Sequence, residues 1–380
     1  MKNGLLVITE LFLPTKGGTA VWFDEVYRRL GKEEIHIVTS YIPGCEEYDK
    51  KHPNRIYRIK LKRHAWLKPE SLLMYIKLLI YGLNIIIQNN IKEIHAGRVL
   101  PEGFVGLLLA RMFRKKLLVY AHGEEITTWI QPLKNRFMRF VYSNSDKIIV
   151  NSEFTKKELL KLGVLSDKVS LISPGVDVNR FRKKLNNKNL RKKIEVPESA
   201  SLLLSVGRLS RRKGFDMVIR ALPELIQEGV DAYYVIIGIG EDYDYLNKII
   251  RELDLENRVF LLGHVPMDDL PYWYNECDLF VMPNREINGD NEGFGMVFIE
   301  AAACGKTAIA GKAGGTGSAV IDGVTGLRVN GESPRDIAES ISKLLKDKEY
   351  LKKLENAAYI RVMKEFAWEK VAEKTKLLMD

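Results

Sequence analysis

Cysteine is scarce in this chain. The three present, Cys45, Cys277 and Cys304, stand far apart and in no metal-ligand spacing. That excludes a disulfide framework and a thiolate metal site, and fits free thiols in a reducing cytoplasm. Long apolar runs are missing too. The longest, Leu72–Ile87, has 16 residues and is interrupted by Lys77 and Asn84, short of the roughly 20 residues that span a bilayer, so a buried helix is expected there. Met1–Glu10 is a short apolar run ending in a charge, the pattern of a first buried strand rather than a secretory signal. Repeats and low-complexity tracts are absent as well.

What is present is a balanced globular composition over 380 residues, 46% hydrophobic and 28% charged. That length suits two domains of about 150–200 residues. The net charge of +10 is uneven. Residues 1–180 hold 29 Lys and Arg against 18 Asp and Glu, whereas residues 181–380 hold 30 against 31. A basic half beside a neutral one points to a phosphate-bearing partner, such as an anionic membrane surface, an anionic acceptor or nucleic acid; a solvated surface is the plain alternative.

Apolar strand-like runs alternate with helical patterns throughout. In the first half the strands are expected at Leu5–Thr9, Ile35–Thr39, Arg55–Leu61, Glu93–Ala96, Lys116–Ala121 and Lys147–Asn151, with helices such as Ala20–Leu30, Ser71–Asn89 and Gly103–Phe113. The second half restarts at Ser201–Val206 and continues through Ala232–Ile237, Val259–Leu262, Leu279–Met282 and Thr307–Ala310. This alternation means parallel sheets covered on both faces. The expected fold is α/β, with two Rossmann-like doubly wound domains facing a cleft: residues 1–180, a charged linker over 181–198, residues 199–363, and a last helix over 364–380, its helical pattern running through Arg361–Met379.

Four segments carry candidate chemistry. Glu292-Gly293-Phe294-Gly295-Met296-Val297 opens an apolar helical run that ends at Glu300. On a continuous helix the two glutamates would stand roughly 12 Å apart along the axis and face one groove. Free amides at the helix start would hold a phosphate or sugar oxygen; an ordinary buried helix fits the same spacing. Gly207-Arg208-Leu209-Ser210-Arg211-Arg212-Lys213-Gly214 follows an apolar strand. Cations at a strand's carboxyl end are placed to stabilise a departing diphosphate, although a basic surface turn looks alike. Pro14-Thr15-Lys16-Gly17-Gly18 is a glycine-rich loop before a helix, suited to diphosphate oxygens or simply to a turn. His122-Gly123-Glu124-Glu125 stands at the end of Lys116–Ala121, where a functional and a structural histidine are both common. Asp242-Tyr243-Asp244 has a spacing used for divalent ions, yet it stands where a helix is expected to start, so capping is the expected role, and no metal is expected.

In order, these motifs resemble the retaining glycosyltransferases of family four on the GT-B fold, over nearly the whole chain. The matching residues include Pro14–Gly18, His122-Gly123, Pro174-Gly175-Val176-Asp177 with Phe181, Gly207-Arg208 with Lys213-Gly214, Gly263-His264-Val265, Asp278–Pro283 and Glu292 to Glu300. The resemblance implies that Arg208 and Lys213 bind the donor diphosphate, and that Glu292 lies by the sugar with the amides of Gly293–Val297. It gives Glu300 the ribose, Gly263–Val265 the base, and His122 the sugar and β-phosphate. It also implies a last helix crossing back to the first domain, and no metal or other cofactor. Asn284–Gly295, Ala308–Gly311 and Gly314-Gly315 look most like phosphatidylinositol mannosyltransferases, implying GDP-mannose and a lipid acceptor. Gly317-Ser318 departs from that pattern, where relatives carry Pro and an acidic residue.

A helical face of Trp129, Leu133, Phe137 and Phe140 with Lys134, Arg136 and Arg139, together with Lys62–Trp66, suits an anionic lipid surface; a core helix with a basic flank is the other reading. A cytoplasmic protein, peripheral on the inner membrane face, is therefore expected. The rivals are a UDP-sugar transferase (glucose or N-acetylglucosamine) acting on polysaccharide or glycolipid, a nonhydrolysing UDP-N-acetylglucosamine epimerase, an inactive transferase, and a nucleic-acid binder, for which no recognition motif is present.

Overall fold

Runs of Val, Ile and Leu too short for helices form the strands. The computed structural model describes residues 4–62, 71–185 and 189–379. Two units emerge: Met1–Pro174 with Trp368–Asp380, and Gly175–Ala367.

In the first unit β1 (Gly4–Ile8), β2 (Ile35–Ser40), β3 (Arg55–Ile59), β4 (Ile91–Ala96), β5 (Lys116–Ala121), β6 (Lys147–Val150) and β7 (Val169–Leu171) form one sheet. Its order is β3-β2-β1-β4-β5-β6-β7, with every pairing parallel. Helices cover both faces of such a sheet, so the central strand β1 is buried along its whole length. In the second unit β8 (Ser201–Val206), β9 (Ala232–Ile237), β10 (Val259–Gly263), β11 (Leu279–Met282), β12 (Ala308–Gly311) and β13 (Gly326–Val329) are ordered β10-β9-β8-β11-β12-β13, again all parallel. In each sheet the winding direction reverses once, between β1 and β4 and between β8 and β11. Loops leaving the carboxyl ends of those neighbours diverge and leave a crevice, the usual ligand position in such sheets.

Four expectations change. Residues 181–198 were expected as a linker, but the described part packs on the second unit: Phe181, Leu190 and Val196 join its core. Arg191 is buried there, pairing with Asp278 at 2.8 Å and Glu276 at 3.2 Å. Its apolar residues are too widely spaced to show a period, which is why the segment reads as a linker. The terminal helix is broken into Lys348–Glu365 and Trp368–Lys376, because Phe366 leaves the helix and its carbonyl accepts from Val176 N at 2.8 Å. The second piece belongs to the first unit, where Trp368, Val371 and Thr375 are buried, Arg29 meets Glu369 at 3.1 Å, and Lys147 Nζ donates to Leu378 O at 3.0 Å.

The helix Leu72–Gln88 is buried on one side only, through Met74, Leu78, Gly82, Ile85 and Ile86. Trp129 precedes the helix Pro132–Asn144 instead of lying on it, and is half-buried beneath Lys134, whose Nζ is 3.8 Å from its ring centre. Of the Lys62–Trp66 stretch, residues 63–66 lie outside the described residues. No helix among the described residues is long and apolar enough to cross a membrane.

Candidate functional site

The crevice between β8 and β11 gathers most of the predicted donor residues. The chain leaves β8 through Gly207 and Arg208, makes a tight turn over Arg211–Lys213, and enters the helix Phe215–Gln227. Gly214 adopts φ +76°, and a Cβ there would come within 2.3 Å of the Pro283 carbonyl oxygen. Only glycine lets this loop lie against the end of β11. Arg285 N then donates to Arg212 O at 2.9 Å, joining the two loops.

The turn sorts three adjacent cations in different directions. Arg211 swings onto the helix Tyr243–Glu252, 3.2 Å from Asp242 and over the Tyr245 ring. Arg212 reaches Glu292 at 2.8 Å and Asp290 at 3.1 Å. Lys213 reaches the same Glu292 oxygen at 2.5 Å. Arg208 is exposed, and no hydrogen bond or ion pair involves it among the described residues.

Glu292 is the centre of this arrangement. Asn284, just beyond β11, donates its Nδ2 to the same Oε2 at 3.1 Å. Burial alone would raise the carboxyl's pKa, yet Lys213 and Arg212 bring it down to about 2. A carboxylate with three donors stays ionised throughout the neutral range. Its side chain is only 13% exposed, so its charge acts in a medium of low dielectric.

The stretch from Glu292 to Glu300 is not one helix. The helix is Met296–Ala303, with Gly295 as its N-cap at φ +90°, so Glu292 lies in the preceding loop and the expected 12 Å axial geometry does not apply. Neither a capping side chain nor an acidic residue occupies the first turn, so its amides keep their partial positive charge for an incoming anion. Gly315 N donates to Glu292 O at 2.6 Å and holds the loop. Phe294 is buried against Phe366, with ring centres 5.6 Å apart, while Gly293, Met296 and Val297 are half-buried. Glu300 accepts from the Tyr274 hydroxyl at 2.7 Å. Burial pushes its carboxyl up to about 7, against the pull of Tyr274 and Arg180. Val265 follows β10 at the sheet edge and is half-buried.

The first unit holds the remaining candidates. Gly17, at φ +130° with open space where a Cβ would stand, caps the helix Gly18–Leu30, whose first turn carries no acid. Trp22 of that helix packs edge-on to His122, with ring centres 5.9 Å apart, so the glycine loop and the histidine belong to one neighbourhood. His122 Nε2 lies 2.8 Å from the Gly97 carbonyl. A carbonyl only accepts, so Nε2 carries the proton. Burial lowers the pKa of the ring, against the opposing charge of Glu125, which leaves a neutral imidazole with its lone pair on Nδ1.

Three contributors lie in the segments singled out from the sequence but are given no individual role there: Arg212, Asn284 and Asp290. Arg211-Arg212-Lys213 is plain in the sequence, but the direction of each side chain is set by the turn and by partners 31 residues away for Arg211 and 78–80 residues away for Arg212 and Lys213. Glu125 is a fourth. It accepts from His122 N at 2.9 Å and Tyr142 Oη at 2.7 Å; its spacing from His122 was the one available signal. Asp242, of the possible metal-binding pair, occupies the N-cap of its helix and pairs with Arg211. No group of three or more His, Cys, Asp or Glu among the described residues is arranged to hold a metal ion.

Two glycosyltransferase family models match this chain. Residues 16–180 match the family described as Glycosyltransferase Family 4, and residues 186–361 the one described as Glycosyl transferases group 1. The chain is 28% identical over 348 residues to the GDP-mannose-dependent alpha-(1-6)-phosphatidylinositol monomannoside mannosyltransferase of Mycolicibacterium smegmatis, covering 90% of this chain and 89% of the relative. It is 29% identical over 368 residues to an uncharacterized glycosyltransferase of Methanocaldococcus jannaschii, covering 96% and 95%. The crystal structure of Anabaena HepE in complex with UDP and glucose matches with a TM-score of 0.83 at 19% identity, over 100% of this chain and 99% of that one, a likeness of fold. The chain belongs to the family-four glycosyltransferases, with the two parallel-sheet α/β domains of the GT-B fold.

Proposed function

We propose that the chain transfers mannose from GDP-mannose to a hydroxyl of a phosphatidylinositol-type lipid acceptor, with retention of anomeric configuration and without a metal or other cofactor. The observation that carries this reading is the convergence of Arg212, Lys213 and Asn284 on Glu292 at the crevice between β8 and β11. Fixed cations beside an uncapped helix start match the charge of a nucleoside diphosphate. The choice of sugar and acceptor is supported by the relatives named as phosphatidylinositol monomannoside mannosyltransferases, 26–28% identical along nearly the full chain.

In this reading Lys213 and Arg208 take the diphosphate together with Gly17, Gly18 and the amides of Gly293–Val297. Glu292 holds the sugar hydroxyls, Glu300 the ribose and Val265 the base. The bond from the sugar's anomeric carbon to the β-phosphate oxygen breaks while the acceptor oxygen bonds to the same face. The acceptor's proton passes to an oxygen of the departing diphosphate. The protein supplies charge stabilisation and position, with His122 beside the sugar and β-phosphate. The enzyme would work on the cytoplasmic side, peripheral to the membrane, where its three buried thiols stay reduced.

The test is transfer of label from GDP-mannose, UDP-glucose and UDP-N-acetylglucosamine to a phosphatidylinositol mannoside, with the product's anomeric configuration read by NMR. Mannose transfer with retention, undiminished by EDTA, is expected. Transfer from a UDP-sugar alone would replace the donor, and donor conversion without acceptor would indicate an epimerase.

A further inference from the structure

One face of the first unit remains unexplained by donor chemistry. The helices Leu72–Gln88, Phe104–Phe113 and Pro132–Asn144 lie side by side on the sheet. They are tied by Tyr75 against Phe104, ring centres 5.9 Å apart, and Phe104 against Phe137 at 5.6 Å. Each buries its sheet-facing side, as an amphipathic helix must. The outward sides are not polar in the usual way. Ile76, Ile80, Met112, Leu133, Phe137 and Phe140 are all between 42% and 69% exposed. Scattered single apolar residues need no explanation, but a set shared by three adjacent helices does.

The charge on these helices has one sign. Their sequences contain Lys77, Arg111, Lys134, Arg136 and Arg139 and no Asp or Glu. Random placement at the chain's overall composition, with 49 acidic residues in 380, would put several acids in a stretch of this length. Long basic side chains around an apolar centre are the composition of a surface that enters the headgroup region, apolar side chains inward and cations at the phosphates. A subunit interface would serve the apolar residues but leave the cations facing their own copies.

We infer that this three-helix face docks on an anionic phospholipid bilayer. The use of such docking, presenting a lipid acceptor, rests on the proposed function, whereas the docking itself does not.

The experiment is sedimentation of the full chain with phosphatidylcholine vesicles, with and without phosphatidylglycerol. It compares the wild type with the double variant Phe137→Glu/Phe140→Glu and with Met112→Glu. Donor binding is followed in parallel by the thermal shift that GDP-mannose produces. The expected result is binding only to the anionic vesicles, weakened at least about tenfold in the variants and by high salt, with the GDP-mannose shift intact. Equal sedimentation of wild type and variants, or no dependence on lipid charge, overturns the inference. So does a wild-type dimer that the variants split into monomers, since that would make the face a subunit contact. Vesicle binding without any mannose transfer would instead sink the proposed donor and acceptor and leave this surface standing.

Discussion

Lys213 Nζ lies 2.5 Å from Glu292 Oε2, so the cation expected to meet the donor is itself held by a carboxylate. An incoming diphosphate therefore meets a preformed ion pair in which the Glu292 charge opposes phosphate and favours sugar hydroxyls. Glu292→Gln separates these effects. Diphosphate binding, followed by GDP titration calorimetry, is expected to hold or tighten. Mannose transfer is expected to fall by about 100-fold or more, as when a charge-stabilising group is lost. Parallel loss of both would show Glu292 to be structural.

Arg208 and Arg212 are predicted to behave differently although both are arginines of one loop. Arg208 is exposed, so Arg208→Ala leaves unliganded stability within about 0.5 kcal/mol while shrinking the thermal shift from GDP-mannose. Arg212 anchors Glu292 and Asp290. Arg212→Ala is expected to cost about 1–3 kcal/mol of stability in urea unfolding, because two carboxylates lose a donor.

Glu300 gives a pH signature. Its folded pKa is raised to about 7 by burial, above the unfolded carboxyl. Its neutral form therefore suits the fold, and the associated stability is present at low pH and lost as pH rises through about 7. Glu300→Gln keeps an acceptor for Tyr274 and removes that loss, so the variant should gain stability relative to wild type at about pH 8. If ribose hydroxyls donate to the carboxylate, affinity for GDP-mannose should rise from about pH 6 to pH 8 in the wild type and stay flat in the variant. A flat profile in both would remove Glu300 from the ribose site.

Trp368, 2% exposed at the start of the returning helix, should matter to the first unit. Trp368→Ala is expected to cost about 3–5 kcal/mol, seen as an earlier unfolding transition in calorimetry.

Much of this was legible beforehand. Strands such as Lys116–Ala121 and Ser201–Val206 are short, mostly apolar runs, and the structure places both on those residues. Val169–Leu171 and Gly326–Val329 escaped because three or four residues, one of them Arg328, carry no period. In the crevice, glycines and charges announced the loops, but not which cation turns inward. Arg211 and Arg212 are neighbours with opposite fates, decided by Asp242 and Asp290, which only the fold brings near. The glutamate pair was placed on one helix because Gly293 and Gly295 look like a helix opening. The left-handed backbone of Gly295 puts the helix start after both.

The account depends on electrostatic capture of the donor's diphosphate at the end of β8. Titration calorimetry of GDP-mannose against Lys213→Ala tests it most directly, at a temperature where the variant shows the wild type's cooperative unfolding. Affinity is predicted to fall by about 100-fold, close to 3 kcal/mol. An unchanged dissociation constant would contradict it.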